Sequence, residues 1–204
     1  MRPLSFLFKG SDGGRPFKLG HKHFEIMNKD NALQSSSTRS SQGHVGYVHS
    51  IETFGSVDGP GIRYIIFLQG CPMRCLFCHN PDTWKQNKVK PMTADELLDQ
   101  AERYRTYWGE KGGITVSGGE ALLQIDFLIE LFEKAHARQI NTCLDTSAQP
   151  FTRNGLWFTK FERLMKVTDT VLLDIKHIRD EEHRKLTKFT NHNILDCACY
   201  LSEI

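Results

Sequence analysis

Short apolar runs alternate with longer segments whose apolar residues recur every three or four positions. Tyr64-Ile-Ile-Phe-Leu68 is β-branched and aromatic, ends at Gly70 and has the continuous apolar character of a strand buried on both faces. Similar runs occur at Gly113–Ser117, Asn141–Asp145 and Thr170–Asp174. Between them the period changes. Thr93-Ala-Asp-Glu96 is a capping box that opens a helix with Leu97, Leu98, Ala101 and Tyr104 on one face. The same spacing joins Phe127, Leu128, Leu131, Phe132 and Ala135, then Phe158, Phe161, Leu164 and Met165, then Ile194, Leu195, Ala198 and Leu201. These stripes are core-facing. The pattern predicts an α/β chain of repeated strand-then-helix units.

Residues 1–45 follow no such period. They pass through Gln34-Ser-Ser-Ser-Thr-Arg-Ser-Ser-Gln-Gly43, a polar stretch that cannot bury a core, and are expected to form a flexible N-terminal extension to a domain spanning 46–204. Charge divides the same way. The extension holds seven Lys and Arg against three Asp and Glu, leaving 19 against 21 for the body. A mildly acidic body without a basic stripe gives no footprint for nucleic acid. No apolar run approaches the length needed to span a bilayer, so no membrane partner is expected. The chain is expected to be cytoplasmic, or organellar if the basic start Met1–Lys9 is a transit peptide.

Every expected strand ends in a chemically distinctive cluster: Cys71–Cys78, Ser117-Gly-Gly-Glu120, Asp145-Thr-Ser147 and Asp174-Ile-Lys176. Parallel strands with crossover helices bring such ends to one edge, where a single pocket forms. Cys71, Cys75 and Cys78 place three thiols on one loop with spacing C-x3-C-x2-C. Soft thiolates select iron-sulfur clusters, zinc or copper(I). Three thiolates on a four-iron cluster would leave one iron open to an outside ligand. The alternative is zinc with His79 as fourth ligand, although adjacent Cys78 and His79 chelate awkwardly. The remaining cysteines, Cys143, Cys197 and Cys199, are scattered, which suits a reducing compartment rather than a disulfide framework. His49, His177, His183 and His192 have no ligand spacing and are expected at the surface or at polar edges.

With Phe77 before its third cysteine, the triad resembles the signature of the radical SAM superfamily. The flanking Ser56-Val-Asp-Gly-Pro-Gly-Ile-Arg63, Phe67-Leu-Gln-Gly-Cys71 and Cys78-His-Asn-Pro-Asp-Thr-Trp84 resemble the glycyl-radical-enzyme activases, and within them the pyruvate formate-lyase type. The resemblance implies a partial (β/α) barrel with parallel strands, of which the first four strand-helix units are present. It implies a [4Fe-4S] cluster on Cys71, Cys75 and Cys78, with S-adenosylmethionine (SAM) chelating the open iron. It also implies SAM contacts at Phe77, Cys78 and His79, at Gly118, Gly119 and Glu120, and at Asp174, Ile175 and Lys176, with Glu120 accepting from the SAM ammonium. Asp145 and Asp174 resemble a pair that helps hold a monovalent cation; capping or a solvated pair is the plainer reading. The loop around Asp58-Gly-Pro-Gly61 is a turn in any reading, and by resemblance lies near a target peptide.

The implied reaction is reductive cleavage of SAM to a 5′-deoxyadenosyl radical that takes a hydrogen atom from a glycine of pyruvate formate-lyase. A flavodoxin- or ferredoxin-type donor would supply the electron, and a monomer is implied. Related activases carry extra ferredoxin-like cysteines, whereas residues 79–142 contain none. The alternatives are an activase for a different glycyl-radical enzyme, a radical SAM enzyme acting on a small molecule, or a non-catalytic fragment that holds metal or SAM. By the same resemblance the chain stops two strand-helix units short of the family's partial six-stranded barrel. That predicts an unpaired edge at Thr170–Asp174, poor cluster assembly and aggregation.

Overall fold

The structure, a computed structural model, describes residues 5–9, 43–85 and 89–204. Its strands are β1 (Ser5–Lys9), β2 (Val45–Gly55), β3 (Arg63–Leu68), β4 (Pro91–Thr93), β5 (Gly113–Gly118), β6 (Asn141–Thr146) and β7 (Thr170–Asp174). The helices are α1 (Ala94–Glu102), α2 (Ile125–Ala137), α3 (Gly155–Met165), α4 (Asp180–Thr187) and α5 (His192–Glu203). One seven-stranded sheet runs in the order β1-β7-β6-β5-β3-β2-β4. The four strands expected from the apolar runs are β3, β5, β6 and β7, and all four are parallel. The capping box forms as expected: the Glu96 N–H donates to Thr93 Oγ1 at 3.2 Å and the Thr93 N–H to Glu96 Oε2 at 2.8 Å.

The sheet differs from the sequence reading at both edges. β2 adds antiparallel to β3, and β4 antiparallel to β2. The apolar alternation of β2 is broken by register shifts between Val48 and Ser50 and between Glu52 and Gly55, which hides its period. At the other edge β1 pairs in parallel with β7, register Ser5 to Thr170 through Lys9 to Asp174. The unpaired edge expected at Thr170–Asp174 is therefore covered, by a segment expected to be unstructured, and the reason to expect aggregation is removed. The rest of the expected N-terminal extension, apart from residues 43–45, lies outside the described residues.

Strand alternation divides the sheet chemically. Tyr64, Ile66, Leu68, Ile114, Val116, Leu144, Val171 and Leu173 point to the helices and join Leu97, Leu98, Leu128, Phe132, Phe161 and Leu164 in one buried core. The alternate positions, Arg63, Thr115, Ser117, Asn141, Asp145 and Asp174, form a polar concave face. The strands are buried on both faces, as the runs predict: half of each packs on helices, and half, which includes Ile65 and Leu172 beside the polar groups, faces the barrel interior. At the bottom of that face lies the side chain of Arg63, wholly buried. It donates to Thr115 Oγ1 at 2.6 Å, Pro60 O at 2.9 Å, Ile114 O at 2.6 Å and Asn141 Oδ1 at 3.0 Å. Burial pulls its pKa down, while Cys143 and Asp169 nearby oppose the shift. With Thr115 Oγ1 donating to Asp58 O at 2.7 Å, these bonds fold the 58–60 loop back into the barrel.

Candidate functional site

The polar face opens into a cavity of about 740 Å³ lined by all three loop cysteines. Phe67, Ser117, Asp145 and Asp174 supply its wall from four strands, and Val57 to Pro60 enter it from below. The convergence expected from the strand ends is therefore present, and Asp58-Gly-Pro joins it. Phe77, Cys78, His79, Gly118, Gly119 and Lys176 also line the cavity. Ser147, from the Asp145-Thr-Ser147 cluster expected at this edge, belongs to it too, as does Trp84, for which no role there was expected.

Backbone bonds fix the cysteine loop. Gly70 N–H donates to Thr83 O at 2.7 Å, Arg74 N–H to Thr187 O at 3.0 Å, and Cys78 N–H to Cys75 O at 3.2 Å. The Arg74 guanidinium donates to the carbonyls of Cys71 and Met73, both at 2.7 Å, and lies 5.0 Å from the centre of the Trp84 ring. Burial first, then the charge of Glu120, pushes the Cys71 thiol up to about 12. Burial also raises Cys75, while Lys176 opposes the shift.

Gly118 and Gly119 stand beside this loop because no side chain fits there. Gly118 has φ +120°, and a Cβ on it would come within 2.3 Å of the Leu68 backbone. A Cβ on Gly119 would lie 2.1 Å from Gly70 O and 3.1 Å from the Cys71 Cβ. The glycines thus let the end of β5 lie against the cysteine loop, with bare backbone facing the cavity.

Glu120, expected from the resemblance as acceptor for a ligand ammonium, does not line the cavity in this structure. It is wholly buried, and its oxygens accept from Leu122 N–H at 3.0 Å, Ser147 N–H at 3.1 Å, Ser147 Oγ at 2.5 Å and the Thr146 hydroxyl. Burial raises its pKa and these donors oppose the shift. The carboxylate is a clasp between the ends of β5 and β6. Ile175 is also turned away from the cavity, packed against the helix-facing core.

Asp145 and Asp174 line one wall, but they do not stand as an unmatched carboxylate pair. Ser117 Oγ donates to Asp145 Oδ2 at 2.9 Å, and the Lys176 ammonium pairs with Asp174. Burial alone would lower Lys176, yet the Asp174 carboxylate overcomes this and holds it above its ordinary value. The Lys176 Nζ also lies 5.6 Å from the centre of the Phe77 ring. Of the four histidines expected at the surface, His49 and His192 are exposed and His177 is half-buried, whereas His183 is wholly buried.

Among the described residues no three His, Cys, Asp or Glu side chains are arranged to hold a single metal ion. Three thiols around one cavity, beside a glycine backbone cradle, fit a larger multi-iron cluster and a ligand laid against it. Among the described residues no fourth cysteine lines that cavity. Also among them, no helix is long and apolar enough to cross a membrane.

Comparison with known proteins agrees with this geometry. The chain is 53% identical over 161 residues to a pyruvate formate-lyase-activating enzyme of Streptococcus mutans, covering 78% of this chain and 61% of that protein. It is 51% identical over 160 residues to the enzyme of the same name from Listeria monocytogenes, covering 78% and 64%. The chain thus spans about three fifths of the length of these relatives. Among solved structures, Streptococcus suis SuiB bound to precursor peptide SuiA shares the fold with a TM-score of 0.54 at 18% identity, covering 75% of this chain and 31% of that one. The family model of the radical SAM superfamily matches residues 65–203, from inside β3 to the last residue of α5. It takes in the cysteine loop, the glycine cradle and the polar ends of β5, β6 and β7, and on that match the chain belongs to the radical SAM superfamily.

Proposed function

We propose that the protein activates a glycyl-radical enzyme of the pyruvate formate-lyase type, using a [4Fe-4S] cluster and SAM. The observation that carries this reading is that a cavity with the three cysteines on its wall lies within a chain about half identical to pyruvate formate-lyase-activating enzymes over 78% of its length. Cys71, Cys75 and Cys78 hold the cluster, leaving one iron for SAM. Phe77, His79, Gly118 and Gly119 border the SAM position, with the glycines offering backbone rather than side chains. Lys176, charged and held by Asp174, faces the same space, and a monovalent cation is proposed at Asp145 and Asp174 on that wall. When bound, cluster and SAM supply the one-electron chemistry that removes a hydrogen atom from a glycine of the partner protein.

The chain's own contribution is positional. Arg63 and Thr115 hold the Asp58–Pro60 loop at the cavity floor, where an extended peptide would lie. The apolar surround of Phe67, Met73 and Leu172 keeps water from the reacting groups. A flavodoxin- or ferredoxin-type protein delivers the electron, and the activase works as a cytoplasmic monomer. To test the function, the reconstituted chain is mixed anaerobically with pyruvate formate-lyase, SAM and a reductant. A glycyl-radical signal on the lyase with matching 5′-deoxyadenosine is expected. Formation of 5′-deoxyadenosine without the glycyl radical points to another substrate, and SAM binding with neither product contradicts catalysis by this chain.

A further inference from the structure

Cys75 stands between two residues anchored to a different element. Arg74 N–H donates to Thr187 O and Leu76 N–H to Leu186 O, both at 3.0 Å. The last carbonyls of a helix have no partner within it, and those at the end of α4 are taken up by the cysteine loop. Yet α4 is a poor anchor by composition: eight residues, Asp-Glu-Glu-His-Arg-Lys-Leu-Thr, of which only His183 and Thr187 are buried.

Its C-terminal end is fixed by a polar knot instead. His183 is wholly buried, with Nδ1 2.7 Å from Phe189 O. That carbonyl can only accept, so the ring proton sits on Nδ1. Thr187 Oγ1 donates to His183 O at 2.8 Å and accepts the Phe189 N–H at 3.1 Å. Lys188 takes a left-handed turn, φ +72°, with its N–H on Arg184 O at 3.0 Å. The other ring nitrogen of His183 is buried with no hydrogen-bond partner among the described residues, so within them the ring is committed to this one turn. Asp180 closes the segment from the other side, accepting from Thr190 Oγ1 at 2.7 Å and Asn191 N–H at 3.0 Å.

We propose that His183 is a positioning residue for the cysteine loop. By holding the turn Thr187–Phe189 it sets the two carbonyls on which Arg74 and Leu76 hang, and through them the place of Cys75 relative to Cys71 and Cys78. The functional consequence rests on the reading of Cys75 as a cluster ligand.

The test is residue-resolved amide hydrogen exchange on the full chain without cofactor, comparing wild type with His183→Leu, Thr187→Val and His183→Asn. The first two variants are expected to speed exchange at Arg74 and Leu76 roughly fivefold or more, as loss of a hydrogen bond implies. Val116 on β5 and Leu144 on β6 keep their protection. His183→Asn, whose amide can donate in place of Nδ1, restores protection at both loop positions. In parallel, iron retained after anaerobic reconstitution falls in His183→Leu and Thr187→Val and recovers in His183→Asn. Unchanged exchange at Arg74 and Leu76, or exchange accelerated equally in β5 and β6, overturns the proposal. If His183→Leu does not fold, Thr187→Val, of the same shape without the hydroxyl, decides the matter alone. A wild-type chain that holds no iron contradicts the cluster reading, while the exchange comparison still decides the role of His183.

Discussion

Glu120 shows what a motif letter can hide. Ser117-Gly-Gly-Glu120 at a strand end is legible in the sequence, but the direction of the carboxylate is not. That direction depends on Thr146 and Ser147, which offer two hydroxyls and a backbone N–H from the end of β6. Glu120→Gln replaces one acceptor oxygen with a donor that faces another donor. A hydroxyl can rotate away, but the Leu122 or Ser147 N–H cannot. The substitution is therefore expected to destabilise the cofactor-free chain by about 1–3 kcal/mol in urea unfolding. A change within about 0.5 kcal/mol would show that these donors do not clasp the carboxylate. Cys71 gives a second residue-level test. Its thiol, pushed up to about 12 by burial and by Glu120, stays protonated at neutral pH. Because the thiolate is the nucleophile, alkylation of Cys71 in the cofactor-free chain at pH 8 should be roughly fiftyfold slower than that of a solvated thiol. The rate should climb as pH rises toward 12. Peptide mass spectrometry reads this directly, and a rate equal to that of a free thiol at pH 8 would contradict the burial.

At the scale of elements, legibility followed periodicity. β3, β5, β6 and β7 lie where the apolar runs are, and α1, α2, α3 and α5 where the stripes are, because a face that packs on a core must repeat with its element. α3 and α5 meet through rings: Phe158 lies 5.1 Å from Tyr200 and Phe161 5.9 Å from it. α4 was missed for the opposite reason, being tied by hydrogen bonds at His183 and Thr187 rather than by an apolar stripe. β2 was missed because its register shifts break the alternation. The capping box of α1 is a local signal that needs no tertiary context, so it was legible in full. Thr93→Ala removes its hydroxyl and is expected to cost about 1 kcal/mol in thermal or urea unfolding. Unchanged stability would mean that packing of Leu97 and Leu98, and not the cap, defines where α1 begins.

For the whole molecule, the resemblance of the cysteine loop and its flanks fixed the family, and the plan of parallel strands placed the cavity at their carboxyl ends. Pairing at the far edge was not legible. The match of Ser5–Lys9 to β7 spans more than 160 positions of sequence, and no local period announces it. Removing residues 1–42 should leave the β7 edge with bare backbone donors and acceptors, ready to pair with another chain. Light scattering at equal concentration is expected to show several-fold more association for the shortened chain; a shortened chain that stays monomeric would show that β1 does not protect the edge.

Cys71, Cys75 and Cys78 are proposed to hold a cluster with one iron left for SAM. Anaerobic reconstitution of the full chain with iron and sulfide, followed by electron paramagnetic resonance of the reduced protein with and without SAM, tests it most directly. A [4Fe-4S]+ signal is expected that changes when SAM is added and disappears when the three cysteines are replaced by serine. A signal indifferent to SAM, or a chain that takes up zinc in place of the cluster, would contradict it.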